Sequence, residues 1–297
     1  MIRHIPTVYG EALVDVARRM PSLVVIAAEG AQPLVEPFAR VFPDRTFRVA
    51  TGGVNALTMA AALALCEKTP VVFTAQTLRF WWPPEWRVAA APIKVVRVLD
   101  ADDPGEHAAG AEELALVRTW PDGAAVIPAD EAEARAALEE AVTRPVFVYL
   151  RLDVGELPAR VPELANAPFR WGQGVLLRPG GEVLLCATGV AVRAALAAAE
   201  QLAADGLPAA VLHLPAVQPL DEARLVEAAR PVKGVVTVEP ASARGGLGSA
   251  IAECLAARLP KRVHRVGMAD VYAETGAREE DAVVARLVQV ARQIGAN

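Results

Sequence analysis

Cysteine is scarce in this chain, three among 297 residues, and Cys66, Cys186 and Cys254 each stand alone within an apolar run. That pattern has neither disulfide nor zinc spacing; it suits small buried hydrophobes in a reducing compartment. Histidine is nearly as sparse. His4, His107, His213 and His264 are too scattered for a histidine-based metal site. Long apolar runs are missing as well: a stretch such as Val183–Thr188 is of strand length and too short to span a bilayer. The opening Met1-Ile-Arg-His-Ile-Pro6 lacks the apolar core of a signal peptide. A soluble, cytoplasmic chain is expected. No cluster of Lys and Arg breaks the net charge of −5, which argues against a nucleic-acid binder. Also absent are a Walker A lysine motif, a Gly-x-Ser-x-Gly elbow and a His-Glu-x-x-His pair, and with them the chemistries those motifs carry.

What is present is core material. Hydrophobic residues make up 54% and charged ones 22%, and the length suits two domains. Tyr9–Met20 has helical spacing, Leu23–Ala28 is a continuous apolar strand, and Leu34–Val41 is a helix. Thr46–Ala50 reads as a short strand, broken at Gly52-Gly53 before an alanine-rich helix from Asn55 that is expected to be buried on most sides. Val71–Ala75 and Lys94–Leu99 are further strands, the latter followed by an acidic loop, Asp100 to His107. A helix at Ala111–Thr119, a strand at Ala124–Pro128, a helix at Asp130–Val142 and a strand at Val146–Arg151 close the first half. Asp130 and Glu133 have capping-box spacing. Pro158–Gly174 has no periodicity and reads as a linker. Alternation then resumes, from a strand at Glu182–Ala187 to a final helix from Glu279. Short-looped βα units, twice over, predict an α/β chain with two doubly wound, mainly parallel sheets.

Two stretches bear on chemistry directly. The strand-to-helix crossing at residues 46–65 opens where ligands bind in such sheets, although a plain core helix has the same composition. Gly245-Gly-Leu-Gly-Ser249 follows a strand and opens a helix, which suits either an anion at the helix start or tight helix–sheet packing. It lacks the third glycine of the dinucleotide fingerprint, and packing is the favoured reading. His107 lies in the carboxylate-rich loop at a strand end, within reach of a ligand or simply solvated.

Taken in order, several short motifs carry a resemblance. They are Tyr9-Gly-Glu-Ala-Leu13, Phe42-Pro-Asp-Arg45, the glycine-then-Asn crossing, Ala115-Leu-Val-Arg118 and Pro128-Ala-Asp130. Tyr149-Leu-Arg-Leu152, Ala187-Thr-Gly189, Pro219-Leu-Asp221 and Val236-Thr-Val-Glu239 before the glycine loop continue the series. The chain resembles the C-terminal half of the transketolase and deoxyxylulose-phosphate synthase family, as in split bacterial transketolases. The resemblance implies a thiamine-diphosphate pyrimidine-binding domain at 1–158, a linker at 159–178 and a transketolase C-terminal domain at 179–297. It also implies that the diphosphate and its Mg2+ sit on a separate subunit carrying a Gly-Asp-Gly…Asn motif, in an α2β2 assembly. No such motif occurs here; Asp122-Gly123 lacks the leading glycine. A ketoacid dehydrogenase-type β-subunit fits the motifs less well.

The resemblance also locates departures. The family's catalytic glutamate aligns with Gly53, and no carboxylate lies between Asp44 and Glu67. A positioned acid–base group is worth about 10²–10⁴-fold in rate. The aromatic residues that pack on the pyrimidine map to Ala75 and Leu78, with Trp81, Trp82 and Trp86 following as replacement stacking faces or a surface lid. Sugar-phosphate contacts fall at Pro33, Val154 and Ala241, which argues for a non-phosphorylated substrate. Asp103 and His107 keep the spacing of substrate-facing residues, with Glu112-Glu113 one residue later than usual, and Glu29 keeps a carboxylate at the first strand's end. The expected catalytic groups are therefore His107 and Asp103. The expected cofactor-binding positions are Glu29, Gly52, Gly53, Asn55, Ala75 and Leu78, with no metal ligand on this chain. Two functions follow: a transketolase-like subunit moving a ketol or acyl unit, or a catalytically degenerate scaffold.

Overall fold

The computed structural model describes residues 8–50, 53–75, 92–100, 104–120, 122–154, 157–276 and 280–296. The chain is α/β, with two mostly parallel sheets in two compact units, residues 1–159 and 160–297. In the first unit the elements are α1 (Val8–Arg19), β1 (Leu23–Ala27), α2 (Gln32–Val41), β2 (Thr46–Arg48), α3 (Gly53–Leu65) and β3 (Thr69–Thr74). They continue as β4 (Lys94–Asp100), α4 (Pro104–Val117), β5 (Gly123–Val126), α5 (Glu131–Ala141) and β6 (Phe147–Val154). Strand order across this unit is β5-β6-β4-β3-β1-β2, every neighbouring pair parallel. β1 and β3 are buried at every position, as a parallel sheet covered on both faces requires.

Several of the short motifs have structural work. Phe42-Pro-Asp-Arg45 forms a single 3₁₀ turn in which the Arg45 guanidinium lies 3.9 Å from the Phe42 ring centroid. Its Nη1 donates to the carbonyls of Ala17 and Met20 at 3.2 and 3.3 Å, so this turn satisfies carbonyls at and just past the end of α1. Asp130 caps α5 by accepting from Glu133 N at 2.7 Å. Glu133 in turn accepts from Ala129 N at 2.7 Å, one residue earlier than in a standard capping box.

The second unit contains β7 (Val175–Arg178), β8 (Val183–Ala187), α6 (Ala191–Ala204), β9 (Ala209–His213), β10 (Ala216–Gln218) and α7 (Glu222–Ala229). β11 (Gly234–Glu239), α8 (Leu247–Arg258), β12 (Val263–Gly267), α9 (Met268–Thr275) and α10 (Glu280–Gly295) complete it. Its sheet runs β12-β11-β8-β9-β7, parallel except that β7 pairs antiparallel with β9. β7 lies at the end of the stretch expected to be linker; it is a half-buried edge strand whose apolar run, Val175–Leu177, is only three residues long. Asp221 caps α7 through Arg224 N at 3.0 Å and also accepts from Gly174 N at 2.8 Å.

Two expectations need correction. α4 begins at Pro104, not at Ala111, because proline is preorganised for the first helical turn and its missing N–H is not needed there. α3 is not buried on most sides: Val54 is 48% and Leu65 73% exposed, with Asn55, Thr58 and Ala62 also outward. Among the described residues, one face of this charge-free helix is left exposed.

Lys94, at the start of β4, is buried, its ammonium donating to the carbonyls of Arg144 (2.8 Å) and Val146. Burial pushes its pKa from the ordinary 10.5 down to about 7. Between those values the unfolded chain holds a proton that the folded chain has released, so stability rises as pH climbs through that window. Urea midpoints should therefore increase from about pH 7 to 9.5, and Lys94→Met should flatten the rise. An unchanged slope in the variant would assign the pH dependence elsewhere.

Candidate active site

The strand order sets where a ligand would lie. From β1 the chain goes to β2 on one side and, through α3, to β3 on the other, so the β1/β3 pair is the point where strand order reverses. In open parallel sheets the crevice beyond the strand ends at such a point is the binding position. The ladder continues past β1, with Ala28 N donating to Phe73 O at 2.9 Å, before the exposed Glu29 and then Gly30. Gly30 has φ +84°, and a Cβ there would stand 2.9 Å from the Ala75 Cβ. Only glycine both takes that turn and lets the two strand ends meet. The structure thus brings the chain just past β1, at Gly30, against Ala75 just past β3. Gly53 is buried at the start of α3, and Asn55 is exposed one residue beyond Val54. Gly52, Leu78, Asp103 and the tryptophans at 81, 82 and 86 lie outside the described residues.

His107 falls in the first turn of α4 and not in a loop, a consequence of the earlier helix start. Because α4 follows β4, and β4 neighbours β3, that turn begins at the same sheet edge as Glu29 and Ala75. Beneath it lies a buried polar network that sequence reasoning missed. Arg97 Nε donates to Glu113 at 3.1 and 3.3 Å, and its Nη1 donates to Ala75 O at 2.8 Å and Val98 O at 2.6 Å. Tyr149 OH donates to Glu113 at 2.7 Å. Burial first, and the Glu113 carboxylate next, raise the Tyr149 pKa well above its ordinary value, so it remains a donor. Arg151 adds a second pair, its Nη2 2.6 Å from Asp153. A Cβ on Gly110 would press on Leu99 and Arg151 at 2.8 and 2.9 Å, so α4 needs glycine to lie this close. The available signal was a charged residue in the middle of each apolar strand, Lys94–Asp100 and Phe147–Val154. The structure also settles the doubled acid: Glu113 is buried and paired, while Glu112 is exposed.

In the second unit the glycine loop is not a ligand seat. Glu239, fully buried at the end of β11, accepts from Leu247 N and Gly248 N, both at 2.8 Å. The anion that this helix start favours comes from the chain itself. A Cβ on Gly248 would lie 2.6 Å from Thr237 Oγ1, which is the tight packing expected. Among the described residues no group of three or more His, Cys, Asp or Glu could hold a metal ion.

The family model described as transketolase, C-terminal domain, matches residues 172–287. A 6-deoxy-6-sulfo-D-fructose transketolase subunit, SqwH, from Clostridium sp. (strain MSTE9) is 35% identical over 279 residues, 90% of this chain and 85% of that one. The chain belongs to the transketolase family. A solved structure described as a split gene transketolase, inactive beta4 tetramer, matches with TM-score 0.81 and 32% identity, over 98% of this chain and 99% of that one. The 1-deoxy-D-xylulose-5-phosphate synthase of Heliobacterium modesticaldum is 33% identical across 97% of this chain, which spans 46% of that longer protein. Within this transketolase-family chain, the intact parts are the framework motifs. Of the positions singled out by the resemblance, Gly53 is buried at the start of α3, Pro33 lies in the first turn of α2, and Ala241 of the second unit is buried.

Glu113→Ala should destabilise this transketolase-family chain by about 3–5 kcal/mol, the cost of leaving a buried guanidinium without its carboxylate. Glu113→Gln, which keeps an acceptor for Tyr149, should cost less. Chemical denaturation of the two variants checks this, and equal, sub-kilocalorie losses would mean the pair is not what holds α4.

Proposed function

We propose that this chain is the β-type subunit of a thiamine-diphosphate-dependent, transketolase-like enzyme that transfers or joins a ketol or acyl unit on a non-phosphorylated substrate. A separate subunit would hold the diphosphate and its Mg2+, in an α2β2 assembly. The observation that carries this reading is the end-to-end likeness to split transketolase subunits. The SqwH name carries a sulfonated deoxyketose, a sugar without a phosphate, which accords with the missing phosphate-gripping residues at Pro33, Val154 and Ala241. Three unpaired cysteines, one of them exposed, accord with a reducing cytoplasm. Among the described residues no helix is long and apolar enough to cross a membrane.

The fit to the cofactor is partial. The Glu29–Gly30 ridge, Ala75 and the buried Gly53 offer a small-residue edge for a flat ring. They do not fit its ordinary activation, because the first turn of α3 has no carboxylate. No catalytic step is derived through the cofactor on that account. The same vacancy favours the second reading, a catalytically degenerate subunit retained for assembly.

Both readings are decided by reconstituting the chain with a diphosphate-binding subunit and titrating thiamine diphosphate by calorimetry, followed by turnover with ketoses including 6-deoxy-6-sulfofructose. Saturable binding is expected in the complex. Gly53→Glu, which puts a carboxylate at a helix start that favours it, should raise turnover by about 10²-fold or more. A complex that assembles, binds no thiamine diphosphate and gains nothing from Gly53→Glu would establish the degenerate reading.

A further inference from the structure

We infer that a pocket on the open edge of the second sheet binds a small phosphorylated anion. The inference rests on the second unit alone and does not depend on the catalytic reading. β12 is the edge strand, and beside it, between the loop after β11 and helices α9 and α10, is a pocket of about 650 Å³. That volume lies within the range of small-molecule sites, roughly 300–1,000 Å³.

Its charge is the deciding feature. Arg244, Arg265 and Arg286 face two carboxylates, Asp270 and Glu274, in a protein whose net charge is −5. Both carboxylates are already engaged. Asp270 accepts from Ala243 N at 2.8 Å and Ser242 Oγ at 3.3 Å, and Glu274 pairs with Arg286. Among the described residues neither Arg244 nor Arg265 has an ion-pair partner. The Arg265 head is nevertheless fixed: its Nη1 donates to Ala243 O at 3.2 Å and to Ser249 Oγ at 3.1 Å. Those bonds hold it against the loop that carries Arg244, and among the described residues its other N–H groups have no partner. Holding the fork in advance reduces the entropy lost when a ligand binds.

Two unmatched guanidinium groups suit a phosphomonoester or diphosphate, which carries about two negative charges near neutrality and accepts bidentate bonds from each fork. A monocarboxylate would leave one of them unmatched. The neighbouring helix start cannot compete for the anion, since Glu239 already fills it. His264 in the pocket wall supplies a reporter. Burial, then Arg262, holds its pKa below the ordinary value, and its shielded Nε2 has no hydrogen-bond partner among the described residues. An anion placed beside it would move that titration upward.

Calorimetric titration of the full chain with inorganic pyrophosphate, adenosine monophosphate and ribose 5-phosphate separates a bare phosphate ligand from a nucleotide and a sugar phosphate. Saturable one-to-one binding of at least one probe is expected, with an upward shift of the His264 titration by NMR. Arg244→Ala, which removes an exposed side chain with no ion pair, should weaken binding about ten-fold, and adding Arg265→Lys should weaken it further. The charge-matched pair Arg178→Ala, on the opposite edge strand β7, with Arg230→Ala, neither of them lining the pocket, should leave binding within about two-fold, since exposed charges are screened by salt. Absence of saturable binding with all three probes would overturn the inference. So would equal weakening by the control pair, which would reduce the attraction to diffuse electrostatics.

Discussion

The buried Arg97–Glu113 pair is the constraint on which the first unit depends. A guanidinium and a carboxylate taken out of water repay their desolvation only when every donor finds an acceptor. Here the two groups are nearly fully satisfied by each other, by Tyr149 and by the carbonyls of Ala75 and Val98. Because Glu113 rides on α4, Arg97 on β4 and Tyr149 on β6, the pair fixes the depth at which α4 lies on the sheet. Because Arg97 also holds the Ala75 carbonyl, it fixes the end of β3. The end of β3 and the placement of α4 are therefore held from below by buried groups.

Elsewhere the framework is held by side chains that satisfy helix ends. The Phe42–Arg45 turn closes α1, Asp130 and Asp221 cap their helices, and Glu239 occupies the start of α8. Each satisfies backbone groups that would otherwise be buried unpaired, so losing one costs the fold directly.

Position within the chain also governs what each charge does. Glu239 and Asp270 are consumed by backbone N–H groups, which removes them as ligands for cations. Among the described residues Arg244 and Arg265 have no ion-pair partner. The second unit thus presents its positive charge at the edge of the sheet, although the whole chain is acidic.

Much was legible in the residues themselves. Alternating apolar runs and helical spacings fixed the α/β class and most element positions, because burial on a parallel sheet leaves a local pattern in the chain. Motif order marked the strand ends at Glu29 and Ala75. What only the tertiary structure decided were contacts between residues far apart in sequence. Arg97 with Glu113, Tyr149 with Glu113 and Arg265 with Ala243 are separated by 16, 36 and 22 positions. No local periodicity records such pairings, since they exist only once the sheet has set the strand neighbours. The start of α4 and the open face of α3 were hidden for a related reason: each depends on what packs against the helix, and composition alone does not name the neighbour.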